Sequence, residues 1–153
     1  GGVHVLLVAR VLNKAQSGSF FCLAANGCGN AAGFFKMVGG AAFGALAQVG
    51  IYSSGLSGVV VPNGFFIAEL GADLVSATNG IAFKLNGGSA TNGSNPTTPI
   101  SFTLSGSSTL TLGPYNPSFP LDVEVAEFIV ELSNVALTPQ PSLYNYLKDK
   151  YQL

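Results

Sequence analysis

Apolar residues occur along this chain in short runs and two-residue alternations, interrupted at close intervals by glycine, asparagine, serine or proline. That pattern predicts short strands joined by turns. Residues 3–12 form a long, mainly apolar run, long enough for a strand buried on both faces. His4 lies inside it, where a lone histidine near a terminus is expected to be structural or exposed. Residues 20–25 and 33–38 read as a hairpin enclosing Asn26-Gly27, a strong turn signal. Residues 39–56 are rich in Gly, Ala and Ser and fit either a strand pair or a long irregular loop. Residues 58–61 and 65–70 are strand-like, with Pro62-Asn63-Gly64 as the turn between them. Further strands are predicted at 81–85, ending in Asn86-Gly87-Gly88, at 100–104 and at 109–112. Residues 89–99 read as a polar loop and 113–117 as a turn-rich link.

The pattern is clearest at the end of the chain. Residues 123–132 alternate as a half-buried strand, with Ala126, Phe128, Val130 and Leu132 toward a core and Glu124 the exception on that face. Glu127 and Glu131 fall on the opposite face. Thr138 is a good N-cap and Pro139 suits a first helical position. Leu143, Tyr146, Leu147 and Tyr151 then share one side of a short terminal helix. The expected architecture is all-β: a two-sheet antiparallel β-sandwich of about ten short strands with a short C-terminal α-helix. It fills residues 1–153 as a single domain, without internal repeat or linker. The closing strand, with its apolar face, is expected near the centre of a sheet.

Composition changes the picture in one respect. Hydrophobic residues make up 48% of the 153 positions, enough for a sizeable core, but charged residues only 8%, against about 25% in ordinary soluble domains. A polar but uncharged surface suits extracellular and virion proteins, or a protein buried in an assembly, better than a free cytosolic enzyme. Net charge is -1 and, apart from Lys148 and Lys150, the basic residues are scattered. That excludes the basic patch needed for nucleic acid or for anchoring to an anionic membrane. The apolar stretch 39–51 is too short to span a membrane, and Gln48 and glycines interrupt it. The start at Gly1-Gly2, without Met, is expected of a processed or excised chain. Cys22 and Cys28 bracket the Asn-Gly turn and either pair across the hairpin as a disulfide or remain two half-buried thiols. Two cysteines with one distant histidine make no zinc ligand set. Asn92-Gly93-Ser94 is a glycosylation acceptor pattern in a eukaryotic secretory route.

The C-terminal segment resembles a known family. Ala126-Glu127-Phe128-Ile129-Val130, then Val135-Ala136-Leu137-Thr138, then Tyr146-Leu147-Lys148-Asp149-Lys150-Tyr151 look like the closing signature of concanavalin A-like, laminin-G-like jelly-roll modules. Ile81-Ala82-Phe83-Lys84-Leu85-Asn86-Gly87 and Leu110-Thr111-Leu112-Gly113 are similar to their upstream strands. Gln152 stands where such modules often have Gly. The likeness covers roughly residues 80–153 and implies the jelly-roll fold more than any one function. Such modules recur in secreted bacterial proteins, adhesins and phage virion proteins.

Some relatives of that superfamily cleave polysaccharides, with Glu, Asp and Glu on one strand. Retaining hydrolysis needs two carboxylates about 5–5.5 Å apart. Here Glu124-Val125-Ala126-Glu127 lacks the central Asp, and its glutamates have opposite parity unless a bulge intervenes. No catalytic residue is therefore assigned, and the protein is expected not to be an enzyme. Trp is absent, so a glycan surface would rest on tyrosines, with Tyr52 and Tyr115 the candidates for exposed loop positions. No cofactor is expected. Calcium, held at the sandwich edge of some relatives, has Glu69, Asp73 and Asp122 as candidate ligands, with Glu69 and Asp73 meeting across a turn. The resulting expectation is a noncatalytic structural or adhesion module at a virion surface, decorating a capsid or associated with a tail, or otherwise extracellular. Its partners would be other virion or surface proteins and further copies of itself. Phe34, Phe35, Phe43, Phe65 and Phe66 are the candidate interface anchors, because adjacent phenylalanines on a strand face opposite ways. The alternative is a secreted, lectin-like glycan-binding module of a bacterial surface protein.

Overall fold

A computed structural model describes residues 2–16, 18–24, 34–39, 42–49, 52–73, 81–89, 91–92, 109–113, 121–133 and 141–153. The first apolar run is β1 (Gly2–Val11). Val3, Val5, Leu7, Ala9 and Val11 point to one side and Leu6 and Val8 to the other, all buried. Then follow β2 (Gly18–Ala24), β3 (Phe34–Gly39), β4 (Ala42–Val49) and β5 (Tyr52–Val60). After them come β6 (Phe66–Asp73), β7 (Ile81–Leu85), β8 (Thr91–Asn92), β9 (Thr109–Leu112), β10 (Val123–Ser133) and the helix α1 (Pro141–Tyr151). Two five-stranded sheets result, in the orders β10-β1-β6-β7-β8 and β5-β4-β3-β2-β9, with every pairing antiparallel.

Several expectations hold. β2 and β3 pair as the predicted hairpin, and the Gly/Ala/Ser-rich stretch resolves into the paired strands β4 and β5. The Asn86-Gly87 turn closes β7 with both residues at positive φ (49° and 71°) and the Gly88 amide on the Leu85 carbonyl. That is the backbone an Asn-Gly pair favours. The Asn86 side chain also accepts the Ile67 amide at 2.8 Å, tying this turn to β6. The predicted strand at 100–104, Thr138 and Pro139 lie outside the described residues.

Three expectations need correction. Residues 62–64 do not close a hairpin: β5 pairs with β4 and β6 with β1 and β7, so the chain passes from one sheet to the other. The Lys14 ammonium pins this crossing by donating to the Val61 carbonyl and the Asn63 side chain. β10 ends its sheet order among the described residues; β1, buried on both faces, is an interior strand beside it. α1 buries Leu147 and packs Leu143, Tyr144 and Tyr151, whereas Tyr146 is 51% exposed. At 100° per residue, Tyr144 falls beside the Leu143–Leu147–Tyr151 stripe and Tyr146 beyond its edge.

The main core lies between the sheets, where one face of β1, Phe66, Ala68 and Leu70 of β6 and Phe83 of β7 meet Phe20, Phe21 and Leu23 of β2. Phe20 stacks edge-on against Phe66 with ring centroids 6.1 Å apart, and Phe21 lies 5.2 Å from Phe128. Two adjacent phenylalanines reach one core because the β2–β3 register shifts between Ser19 and Phe21: Ser19 stands opposite Val38 and Phe21 opposite Met37, with Phe20 as the extra residue between them. The Phe20 carbonyl accepts the Gly113 amide at 2.7 Å. A bulge thus overrides the alternation that would send neighbours to opposite faces. A second, smaller core lies on the outer face of the other sheet, where α1 covers Leu6, Val8 and Ile67.

Candidate functional site

That outer face also carries the chain's concentrated charge. His4 precedes Leu6 and Val8 on the outward side of β1, between β6 and β10. Its Nε2 lies 2.8 Å from Glu69 Oε1 on β6, and its Nδ1 lies 2.8 Å from Glu131 Oε2 on β10. His4 is fully buried and Glu69 nearly so, whereas the Glu131 side chain keeps 31% of its surface in solvent. Burial alone would lower the imidazole's proton affinity, but the hydrogen bonds to Glu69 and Glu131 and their charges together raise it. Tyr144 on α1 lies near the same cluster; burial and the charge of Glu69 raise its hydroxyl above the usual range.

Further along β10 the register against β1 shifts: Val8 stands opposite Glu127 and Ala9 opposite Val125, leaving Ala126 as the extra residue of a bulge. The consequence reverses one expectation. Glu124 is not an exception on the core face; the bulge turns it outward with Glu127, while Ala126 is exposed. Glu124 accepts the Arg10 Nε–H at 3.0 Å, and the Arg10 guanidinium lies 5.0 Å from the centroid of the Phe65 ring. Glu127 accepts the Lys150 ammonium at 2.8 Å and the Tyr151 hydroxyl at 2.9 Å, both from α1. These two hydrogen bonds hold the Glu127 carboxyl below its usual range, and the same contact raises Lys150 and Tyr151.

The bulge therefore places Glu124 and Glu127 on the same outward face of β10, and the contacts around Glu127 bear on which role its carboxyl could take. A general acid needs a carboxyl whose proton is held more tightly than usual. Glu127 is shifted in the opposite sense, and both carboxylates are bound to cations of the same chain.

The other candidate residues separate on inspection. Phe65 is exposed, but Phe66 is fully buried between the sheets and is not an interface anchor. The two neighbours take opposite faces, and only one faces outward. Phe34 and Phe35 lie in β3 and Phe43 in β4, with their side chains outside the described residues, as is that of Tyr52 at the start of β5. Tyr115 lies outside them altogether. Glu69 and Asp73 belong to one strand rather than to two sides of a turn, and Glu69 is committed to His4. Among the described residues no group of three or more His, Cys, Asp or Glu side chains is arranged to hold a metal. No helix among them is long and apolar enough to cross a membrane. Cys22 is buried on β2 and is not free; Cys28 lies outside the described residues. Asn92 belongs to β8, while residues 93–94 of the acceptor pattern lie outside. What sequence reasoning missed is the Glu69–His4–Glu131 cluster. Its only signal was a histidine inside a run buried on both faces, which demands polar partners on neighbouring strands.

The architecture is that of a concanavalin A-like, laminin-G-like sandwich, as the closing segment implied. The LG1-3 region of the laminin alpha2 chain superposes with a TM-score of 0.62 at 11% identity, over 90% of this chain and 30% of that one. Domains LG4-5 of the mouse laminin alpha1 chain give 0.56 at 10% identity, over 92% and 39%. The chain thus spans about a third of the length of these structures, and at such identities the likeness is one of fold. No protein-family model matches the sequence, and no curated protein does.

Proposed function

We propose that the protein is a noncatalytic structural and adhesion module that works by protein–protein assembly on the outside of a virion, decorating a capsid or associated with a tail. The observation that carries this reading is the surface itself. Leu12, Val60, Phe65, Leu110, Leu112 and Val125 are exposed on a chain in which only 8% of residues are charged. Such a surface gains from close contact and offers little repulsion between copies. The pairing of Glu124, Glu127, Glu69 and Glu131 within the chain supports a module without acid–base chemistry.

Light scattering after size exclusion, run beside a glycan array, tests the reading. A defined oligomer or coat-like particles with no glycan retained is the expected result. A strict monomer at all concentrations that retains a specific sugar would replace it with the lectin-like alternative, and Tyr52→Ala and Tyr115→Ala would then abolish binding.

A further inference from the structure

The contacts around His4 impose a proton count. Each ring nitrogen lies 2.8 Å from a carboxylate oxygen, and each such contact needs one proton between the heavy atoms. A neutral imidazole supplies only one. The second proton sits on the ring rather than on a glutamate, because imidazole is ordinarily the stronger base by about two pH units. We propose that Glu69–His4–Glu131 is a proton-dependent clamp, which ties three adjacent strands together while the imidazole is doubly protonated and lets Glu131 go when pH rises.

Burial decides which contact opens. Glu69 is 5% exposed, so leaving its carboxylate unpaired is costly, and the remaining N–H stays with it. Glu131 has water beside it and turns outward, removing a side-chain tie between β10 and β1. Other titratable groups among the described residues also border the cluster. Lys84 on β7 stands opposite Glu69 in register, Tyr144 approaches from α1, and Glu127 faces the same side of β10 but is held by Lys150 and Tyr151. Asp73 of β6 lies two positions beyond Gly71, the register partner of His4. The sign follows from the imidazole's raised affinity: the stabilisation is complete below about pH 6.5, the unfolded value, and is lost as pH climbs through the higher folded value.

His4 is the chain's single histidine, so its ring signals are unambiguous. Nitrogen-15 NMR of the intact chain is expected to show both ring nitrogens protonated at pH 6 and a titration midpoint above 6.5. Thermal midpoints between pH 6 and 9.5 provide the second reading, as the difference between the wild type and Glu131→Gln. A glutamine amide donates to an unprotonated ring nitrogen, so the variant satisfies both contacts with a neutral imidazole and its midpoint is expected to stay flat where the wild type falls. A titration midpoint at or below 6.5, or the same alkaline slope in Glu131→Gln as in the wild type, overturns the clamp.

Discussion

Leu147→Ala is the sharpest probe of how α1 is held. Leu147 is fully buried among Leu6, Val8, Ile67, Ile129, Leu143, Tyr144 and Tyr151, so its truncation removes the centre of the smaller core. Buried Leu→Ala changes cost about 2–5 kcal/mol, depending on how far the surroundings collapse. This core is one layer between a helix and a sheet, and the helix has room to settle, which places the expected loss near 3 kcal/mol. For a chain of this size each kcal/mol shifts the thermal midpoint by about 2–4 °C, so a fall of roughly 6–12 °C is expected. Urea unfolding followed by circular dichroism measures the free energy, and calorimetry the midpoint. Tyr146→Ala is the control, because that ring is half in solvent, with the Lys150 ammonium 5.4 Å from its centroid. Its effect is expected within about 0.5 kcal/mol. Equal losses at the two positions, or a loss under about 1 kcal/mol at Leu147, would refute the assigned helix face.

Other consequences are more local. Gly87→Ala is expected to destabilise by more than about 1 kcal/mol in the same urea assay, because a Cβ there would lie 2.7 Å from the Tyr144 ring on a backbone at φ 71°. Gln152→Gly is expected to raise stability by up to about 1 kcal/mol. Gln152 sits at φ 55° past the end of α1, where the Leu153 amide bonds the Lys148 carbonyl at 3.2 Å; an unchanged unfolding midpoint would count against that account. Cys22 and Cys28 are expected to form one intramolecular disulfide, seen as a two-dalton mass gain on reduction and as a linked peptide before it. Removing residues 141–153 is expected to uncover Leu6, Val8 and Ile67 and yield an aggregating chain, whereas a soluble truncated sandwich with native circular dichroism would show the lid to be dispensable.

The parts legible in the sequence were those governed by local chemistry. The strand Ile81–Leu85 and its Asn-Gly turn, the strand Thr109–Leu112 and the both-sides burial of β1 follow from period and turn residues alone. Strand partnership did not, because it depends on contacts between distant segments. Pro62-Asn63-Gly64 looks the same whether it closes a hairpin or carries the chain between sheets, and only the pairing of β6 with β1 distinguishes the two. The apolar face of β10 suggested a central strand, yet a strand that ends the sheet order among the described residues, with a helix over its outer face, shows the same alternation. Tyr146 and Tyr144 differ by two helical positions, and only the direction of the sheet beneath them decided which one packs against it.

The candidate site was hidden for a related reason, and Ala126 shows it best. One residue without a register partner reverses the parity of everything before it on β10, so Glu124 joins the outer face and meets Arg10, while Val123 packs on the main core. No pattern of apolar and polar positions announces that shift, since the alternation reads as continuous through it. The same strand carries Glu131 and Glu127 on the other side of the bulge, each set against a partner from a different element: His4 of β1 and Lys150 with Tyr151 of α1. β10 is thereby fastened by three separate charged contacts along one face, at Glu124, Glu127 and Glu131. The last rests on an imidazole, whose charge changes near neutral pH. Among the described residues the strand that ends this sheet order is thus tied at Glu124 to Arg10, at Glu127 to Lys150 and Tyr151, and at Glu131 to His4, which is why the alkaline response should be read at Glu131 and not at the strand as a whole.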